Sequence, residues 1–272
     1  ALLLPKETPS LARETIGDYL LSAQLLGRRT AELHLALSSD PEDPEFAPEP
    51  FTIQYQNSLY HSMRSFTVQV FQTLRQIRDA LPEEIRGDAE VVLNSEGEII
   101  RRFSLLRSRP VSARRIRCHG DFHLGQVLFT GKDFFLIDFE GEPARPLSER
   151  RLKRCPLQDV AGMLRSFDYA VQTALHHRAP TSFPPHMMAA LEQWGQYWRL
   201  WVSAIFLAAY FKEVRNARLF PESTEDLRML LDAYLMEKAV YEITYEINNR
   251  PDWLRVPLQG ILRMLEDINA EE

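Results

Sequence analysis

From Leu11 onward the apolar residues of this chain recur three and four positions apart almost everywhere, and that spacing leaves room for little but a mainly helical fold. Over 11–37, Ile16, Leu20, Leu21, Ala23, Leu25, Leu26, Ala31, Leu33 and Leu35 draw one helical face, with Ser10 placed to cap it. Four prolines among acids (Pro41, Pro44, Pro48, Pro50) make 38–50 a loop. A second helix is expected over 57–81, and Pro82 and Gly87 interrupt the chain after it. Further helices are expected over 156–177, 184–212, 223–249 and 257–268, punctuated by Pro221, Pro251 and Pro257.

The spacing changes once, between Ile116 and Asp138. Gln126 to Thr130 is a short strand-like run, Gly131-Lys132-Asp133 is a turn, and Phe134 to Asp138 is a second run, so the segment reads as a hairpin. Gly120, Gly125, Gly131 and Gly141 place four of the chain's eleven glycines here, where a backbone must turn sharply or approach a ligand closely.

At 272 residues the chain is long enough for a real core, and 45% hydrophobic with 26% charged residues is ordinary for a soluble globular protein. A net charge of −6 argues against a nucleic-acid partner, which selects a basic face, and the Arg-rich stretch 101–117 reads mostly as solvated surface. No apolar run reaches the length of a membrane span, so no membrane contact is expected. Cys118 and Cys155 are too few for a disulfide scaffold and read as buried thiols of a cytoplasmic protein.

The chemistry concentrates in Cys118-His119-Gly120-Asp121-Phe122-His123-Leu124-Gly125-Gln126, with Asp138 seventeen residues beyond Asp121. Phosphoryl transfer needs one carboxylate to accept the proton of the attacking hydroxyl, and a second carboxylate with a neutral oxygen to hold Mg²⁺ against the phosphates. Asp121, Asp138 and the amide oxygen of Gln126 form such a set, and a hairpin between Gln126 and Asp138 would bring the two metal ligands to one end of the site. An Asp after Phe-Leu-Ile is costly to bury unless it meets a cation or several donors. The competing reading is zinc on His119, Asp121 and His123; no further His lies nearby until His176 and His177, which sit on an amphipathic helical pattern.

His119-Gly120-Asp121-x-His123 resembles the catalytic loop of aminoglycoside and choline kinases, and the longer strings HGDFHLGQVL and LIDFEGEP resemble the maltokinases. The resemblance continues through RRLKRCPLQDVAGMLRSFDYA, KAVYEITYEINNRPDWLRVPL and GDYLLSAQLLGRRTAELHLAL. It implies a helical C-terminal lobe of a protein-kinase-like (aminoglycoside phosphotransferase-like) fold over 1–272. Within it, 118–126 would be the catalytic loop, 126–141 the metal-site hairpin and 156–272 the sugar-binding helical part. It implies ATP-dependent phosphorylation of maltose to maltose 1-phosphate, with ATP as co-substrate and Mg²⁺ as cofactor. Asp121 would be the catalytic base and Gln126 and Asp138 the metal ligands. His119 would meet the sugar, with His123 and Glu140 in support. Lys238, Tyr241 and Tyr245 would contact maltose from a late helix, and their spacing does put them on one helix face.

A kinase also needs a part that clamps the triphosphate. Upstream of the catalytic loop only isolated glycines occur (Gly17, Gly27, Gly87, Gly97), so the expectation is a fragment without its N-terminal nucleotide-binding lobe, inactive alone. Such enzymes are often fused to a trehalose synthase domain, a further implied partner, and apolar surface left bare by an absent lobe admits a homodimer. The alternative is a non-catalytic sugar- or protein-binding lobe of a degenerate kinase.

Overall fold

A computed structural model describes residues 7–143, 145–175 and 183–269. They are mostly helical, with two two-stranded antiparallel sheets among them, and the chain divides into two compact units.

Of the described residues, one unit comprises those within 7–50 and 113–220 and carries the hairpin. Its helices are α1 (Ser10–Ile16), α2 (Tyr19–Ala36), the short α6 (Leu147–Arg150), α7 (Leu157–Thr173) and α8 (Met188–Glu213). The single helix expected over 11–37 is two, because the backbone turns at Gly17, φ 64°. α2 packs along α8 and α7 packs on α8, enclosing Leu20, Ala23, Leu26, Phe167, Phe206 and Tyr210. β1 (Glu49–Pro50) pairs with β2 (Arg114–Arg115), Glu49 opposite Arg115, and a bridge between Ile116 and Arg154 extends this contact toward the next loop. Lys153 pins the proline loop by donating to the carbonyls of Pro44 (2.5 Å) and Ala47 (2.6 Å). β3 (Val127–Phe129) and β4 (Phe134–Leu136) form the expected hairpin, Leu128 opposite Phe135.

The other unit comprises 51–112 and the chain from Pro221 onward. Its helices are α3 (Ile53–Ile77), α4 (Glu83–Asn94), α5 (Glu96–Ser104), α9 (Thr224–Asn249) and α10 (Arg255–Asn269). Thr52 caps α3 by accepting from the Tyr55 amide at 3.2 Å. Phe71, Leu74, Ile99, Phe103, Met236, Val240, Ile243 and Leu258 form its core. Gln56, fully buried, holds the segment after α5 by donating to the carbonyls of Leu106 and Arg109 and accepting from the Val111 amide.

The segment after Pro82, where interruption is expected, is helical. Pro82 stands just ahead of α4, where a missing N–H costs nothing, and Glu83 and Glu84 favour the positive end of its first turn. Within the Arg-rich stretch Phe103, Leu106, Val111 and Ile116 are buried, and three of its arginines are tied down by ion pairs: Arg115 to Glu49 (2.7 Å), Arg117 to Glu45 (3.2 Å) and Arg109 to Asp226 (2.7 Å). Among the described residues no helix is long and apolar enough to cross a membrane.

Candidate functional site

The loop 118–126 is held by one face of α7. Asp159, Gly162 and Ser166 stand three and four residues apart and so share that face. Asp159 accepts from the backbone amides of His119 (Oδ2, 2.7 Å) and Gly120 (Oδ1, 2.9 Å), and the Ser166 hydroxyl accepts from the Leu124 amide at 3.2 Å. Gly162 lets the loop approach, since a Cβ there would stand 2.5 Å from the Phe122 carbonyl oxygen. Gly120 adopts φ 87°, open to glycine at little cost, and its α-carbon faces that of Gly141 where the hairpin leaves the site.

Asp159 is 1% exposed. Burial alone pushes its carboxyl up, but the bond from His34, with the Gly120 amide behind it, outweighs burial and holds the group below the ordinary carboxylate range. The loop therefore hangs from an ionised buried carboxylate. Burial pushes the thiols the other way, Cys118 well above its ordinary value and Cys155 up to about 12, so neither is a nucleophile near neutral pH.

The hairpin is fixed at both ends. At its turn, Arg29 of α2 grips Asp133 with two bonds, 2.8 Å and 2.9 Å. That guanidinium, with the Phe134 amide, lowers the Asp133 carboxyl to about 2. At its base, Gln126 Nε2 donates to Asp138 Oδ2 at 2.9 Å, and the Ile137 amide donates to the Gln126 carbonyl at 3.1 Å. Asp138 is exposed and sits at φ 64°, a left-handed conformation that a non-glycine residue adopts at a cost and that clusters where function needs it.

His119 joins loop and hairpin. Its Nε2 meets the Ile137 carbonyl at 2.8 Å, so that nitrogen carries the hydrogen, and Nδ1 faces the Asp121 amide at 3.4 Å. Phe122 and Phe139 flank the ring at 5.2 Å and 4.9 Å. His119, the residue expected to meet the sugar, is 1% exposed, and both its ring nitrogens face the chain itself. Asp121 is half-buried and lies 3.7 Å from His123 Nε2, while Glu140 is exposed in the turn after Asp138.

Lys238, Tyr241 and Tyr245 belong to the other unit, on α9. Lys238 Nζ stands 4.8 Å over the Tyr241 ring, Tyr241 stacks on Phe66 at 6.3 Å, and Tyr245 remains 42% exposed beside Arg250. They form a half-exposed aromatic face and not a buried core.

The donors offered by Asp121, Gln126 and Asp138 are carboxylate and amide oxygens, the hard ligands Mg²⁺ selects. Among the described residues no group of three or more His, Cys, Asp or Glu is arranged to hold a metal, which leaves zinc on His119, Asp121 and His123 without support; His176 and His177 lie outside the described residues. Sequence reasoning does not find Asp159, Ser166, His34, Tyr210 or Arg29. The spacing of Asp159, Gly162 and Ser166 is a usable signal for the first two.

No protein-family model matches the chain. A glucosamine kinase of Streptacidiphilus jiangxiensis is 26% identical over 258 residues, 93% of this chain and 51% of the relative. A glucosamine kinase of Mycolicibacterium smegmatis is 27% identical over 260 residues, 94% of this chain and 56% of the relative. The chain thus spans about half the length of the curated relatives it matches. Among solved structures, a glucosamine kinase shares the fold with a TM-score of 0.76 at 23% identity, covering 96% of this chain and 58% of that one. A glucosamine kinase in complex with glucosamine, ADP and inorganic phosphate does so equally, with a TM-score of 0.76.

These matches correct two expectations. The resemblance to maltokinases is replaced by similarity to glucosamine kinases along nearly the whole chain. The helical C-terminal lobe of a protein-kinase-like, aminoglycoside phosphotransferase-like fold is likewise replaced by the arrangement these solved glucosamine kinases share. Both expectations rest on short strings, the loop, the hairpin and three helical segments. Such strings constrain the chemistry of a loop, but neither the packing of the helices around it nor the sugar it serves.

Proposed function

We propose that this chain carries the phosphoryl-transfer site of an ATP-dependent sugar kinase, with glucosamine as the acceptor. The observation that supports it most is the Gln126–Asp138 pair, 2.9 Å apart at the base of the hairpin, beside a loop whose backbone hangs from Asp159. The names of the relatives and the glucosamine, ADP and phosphate in one solved relative support the acceptor and the donor.

In this reading Asp121 accepts the proton of the attacking sugar hydroxyl as the oxygen begins to bond to the γ-phosphorus, while the bond to the ADP leaving oxygen breaks. Asp138 and the Gln126 amide oxygen would hold Mg²⁺, whose charge would neutralise the phosphate oxygens. His119, through its bond to the Ile137 carbonyl, keeps the residue before Asp138 in register with the loop that carries Asp121. Tyr241 and Tyr245 offer ring faces to a pyranose, with Lys238 beside them.

The test is ADP release by the protein that carries this chain, measured with Mg²⁺ and ATP against glucosamine, glucose and maltose in parallel. Release that depends on glucosamine and stops when Mg²⁺ is chelated is expected. Equal, sugar-independent release with all three would reject the proposal.

A further inference from the structure

Behind Asp159 the hydrogen bonds continue inward. His34 of α2 turns Nε2 to Asp159 Oδ2 at 3.1 Å, and its Nδ1 meets the Tyr210 hydroxyl of α8 at 2.7 Å. His34 and Tyr210 are both 0% exposed. An ionised carboxylate only accepts, so Nε2 carries the hydrogen, and in the neutral ring Nδ1 accepts from the Tyr210 hydroxyl. The contacts form one run: Tyr210 meets His34, His34 donates to Asp159, and Asp159 accepts from the two loop amides.

An apolar pair of similar volume would fill this space without the desolvation cost of a hydroxyl and an imidazole. Instead, polar groups from α2 and α8 converge on the one carboxylate that holds the loop. Oδ2 is shared between His34 and the His119 amide, so a turn of the carboxylate plane would move the very atom that holds His119.

We propose that His34 and Tyr210 are positioning residues for the loop that carries Asp121. Tyr210 sets the tautomer and ring angle of His34. His34 fixes the plane and the charge of the Asp159 carboxylate against the amides of His119 and Gly120. The kinetic consequence rests on the reading of Asp121 as catalytic base; the positioning of the loop does not.

Amide hydrogen exchange on the purified chain separates the two. In His34→Leu, exchange at His119 and Gly120 should rise roughly tenfold or more, as expected when a buried charge-assisted bond is lost. Exchange at Phe167, inside α7, should stay near its wild-type rate. His34→Gln, whose amide nitrogen can stand in for Nε2, should recover most of the protection. Tyr210→Phe should show a smaller rise at the same two amides, and it decides the matter should His34→Leu fail to fold. In the kinase assay these variants should lower kcat while leaving KM for ATP nearly unchanged. Unchanged exchange at His119 and Gly120 in Tyr210→Phe and in any His34→Leu that folds overturns the inference, as does a rise shared equally by Phe167. Exchange that moves as described in a protein without sugar-dependent turnover upholds the positioning network and rejects the role given to Asp121.

Discussion

Gln126 donates to Asp138 across twelve residues of sequence, closing the hairpin at the end where the loop 118–126 enters it. The bond draws together an amide and a carboxylate on a left-handed backbone, and single substitutions can separate what each part of that arrangement does.

Asp121→Asn keeps the shape of the side chain and removes its basicity. If Asp121 takes the proton of the sugar hydroxyl, kcat should fall on the order of 10²-fold or more, with KM for ATP little affected. Coupled ADP release reads both, and a kcat within about threefold of wild type would remove Asp121 from the chemistry.

Asp138 combines a proposed metal ligand with a conformation that glycine adopts freely, φ 64°. Asp138→Gly relieves the left-handed backbone but loses the bond from Gln126, so its Tm should change little, while its activity no longer saturates with Mg²⁺ in the normal range. Gln126→Ala should shift the Mg²⁺ titration less, since it removes a neutral oxygen. Thermal melts and Mg²⁺ titrations on the same preparations make the comparison. Normal Mg²⁺ saturation in both variants would place the metal elsewhere.

The Arg29–Asp133 clasp gives a dependence on acid. The folded pKa of Asp133 is lowered to about 2, below the unfolded value of about 3.9, so its contribution is complete above pH 4 and is lost as pH falls toward 2. The Tm difference between wild type and Arg29→Met should shrink steadily over that interval. A difference that stays constant down to pH 2 would mean that the ion pair does not stabilise the hairpin turn.

Tyr241→Ala and Tyr245→Ala should raise KM for the sugar more than KM for ATP if their face receives the acceptor. Tyr245 is 42% exposed, so its loss should lower Tm by only a degree or two, whereas Tyr241, stacked on Phe66, should cost more. Unchanged KM for the sugar with an early melt in Tyr241→Ala would assign these rings to packing alone.

The long helices are legible in the sequence because they bury a continuous stripe; α3 and α9 fall within a few residues of where apolar spacing puts them. α4 and α5 are not, because Pro82 and Gly87 look like breakers. Pro82 lies just outside the helix, and Gly87 sits where nothing lies within 4 Å of an added Cβ. Asp121, Gln126 and Asp138 stand out as polar residues set between glycines and apolar runs. Their support does not. Asp159 meets His119 forty residues away, and Tyr210 meets His34 across 176. Periodicity counts each of these as one more position on a helix.

The hold of α7 on the loop has one more consequence. Asp159 and Ser166 grasp the amide hydrogens of His119, Gly120 and Leu124, which every amino acid except proline possesses. The grip is blind to the side chains the loop displays. Residues 121 and 123 can be exchanged, and the chemistry at the tip rewritten, without loosening the anchor; a proline at 119, 120 or 124 would release it whatever else the loop retained. A helix that reads only backbone gives its loop latitude to evolve.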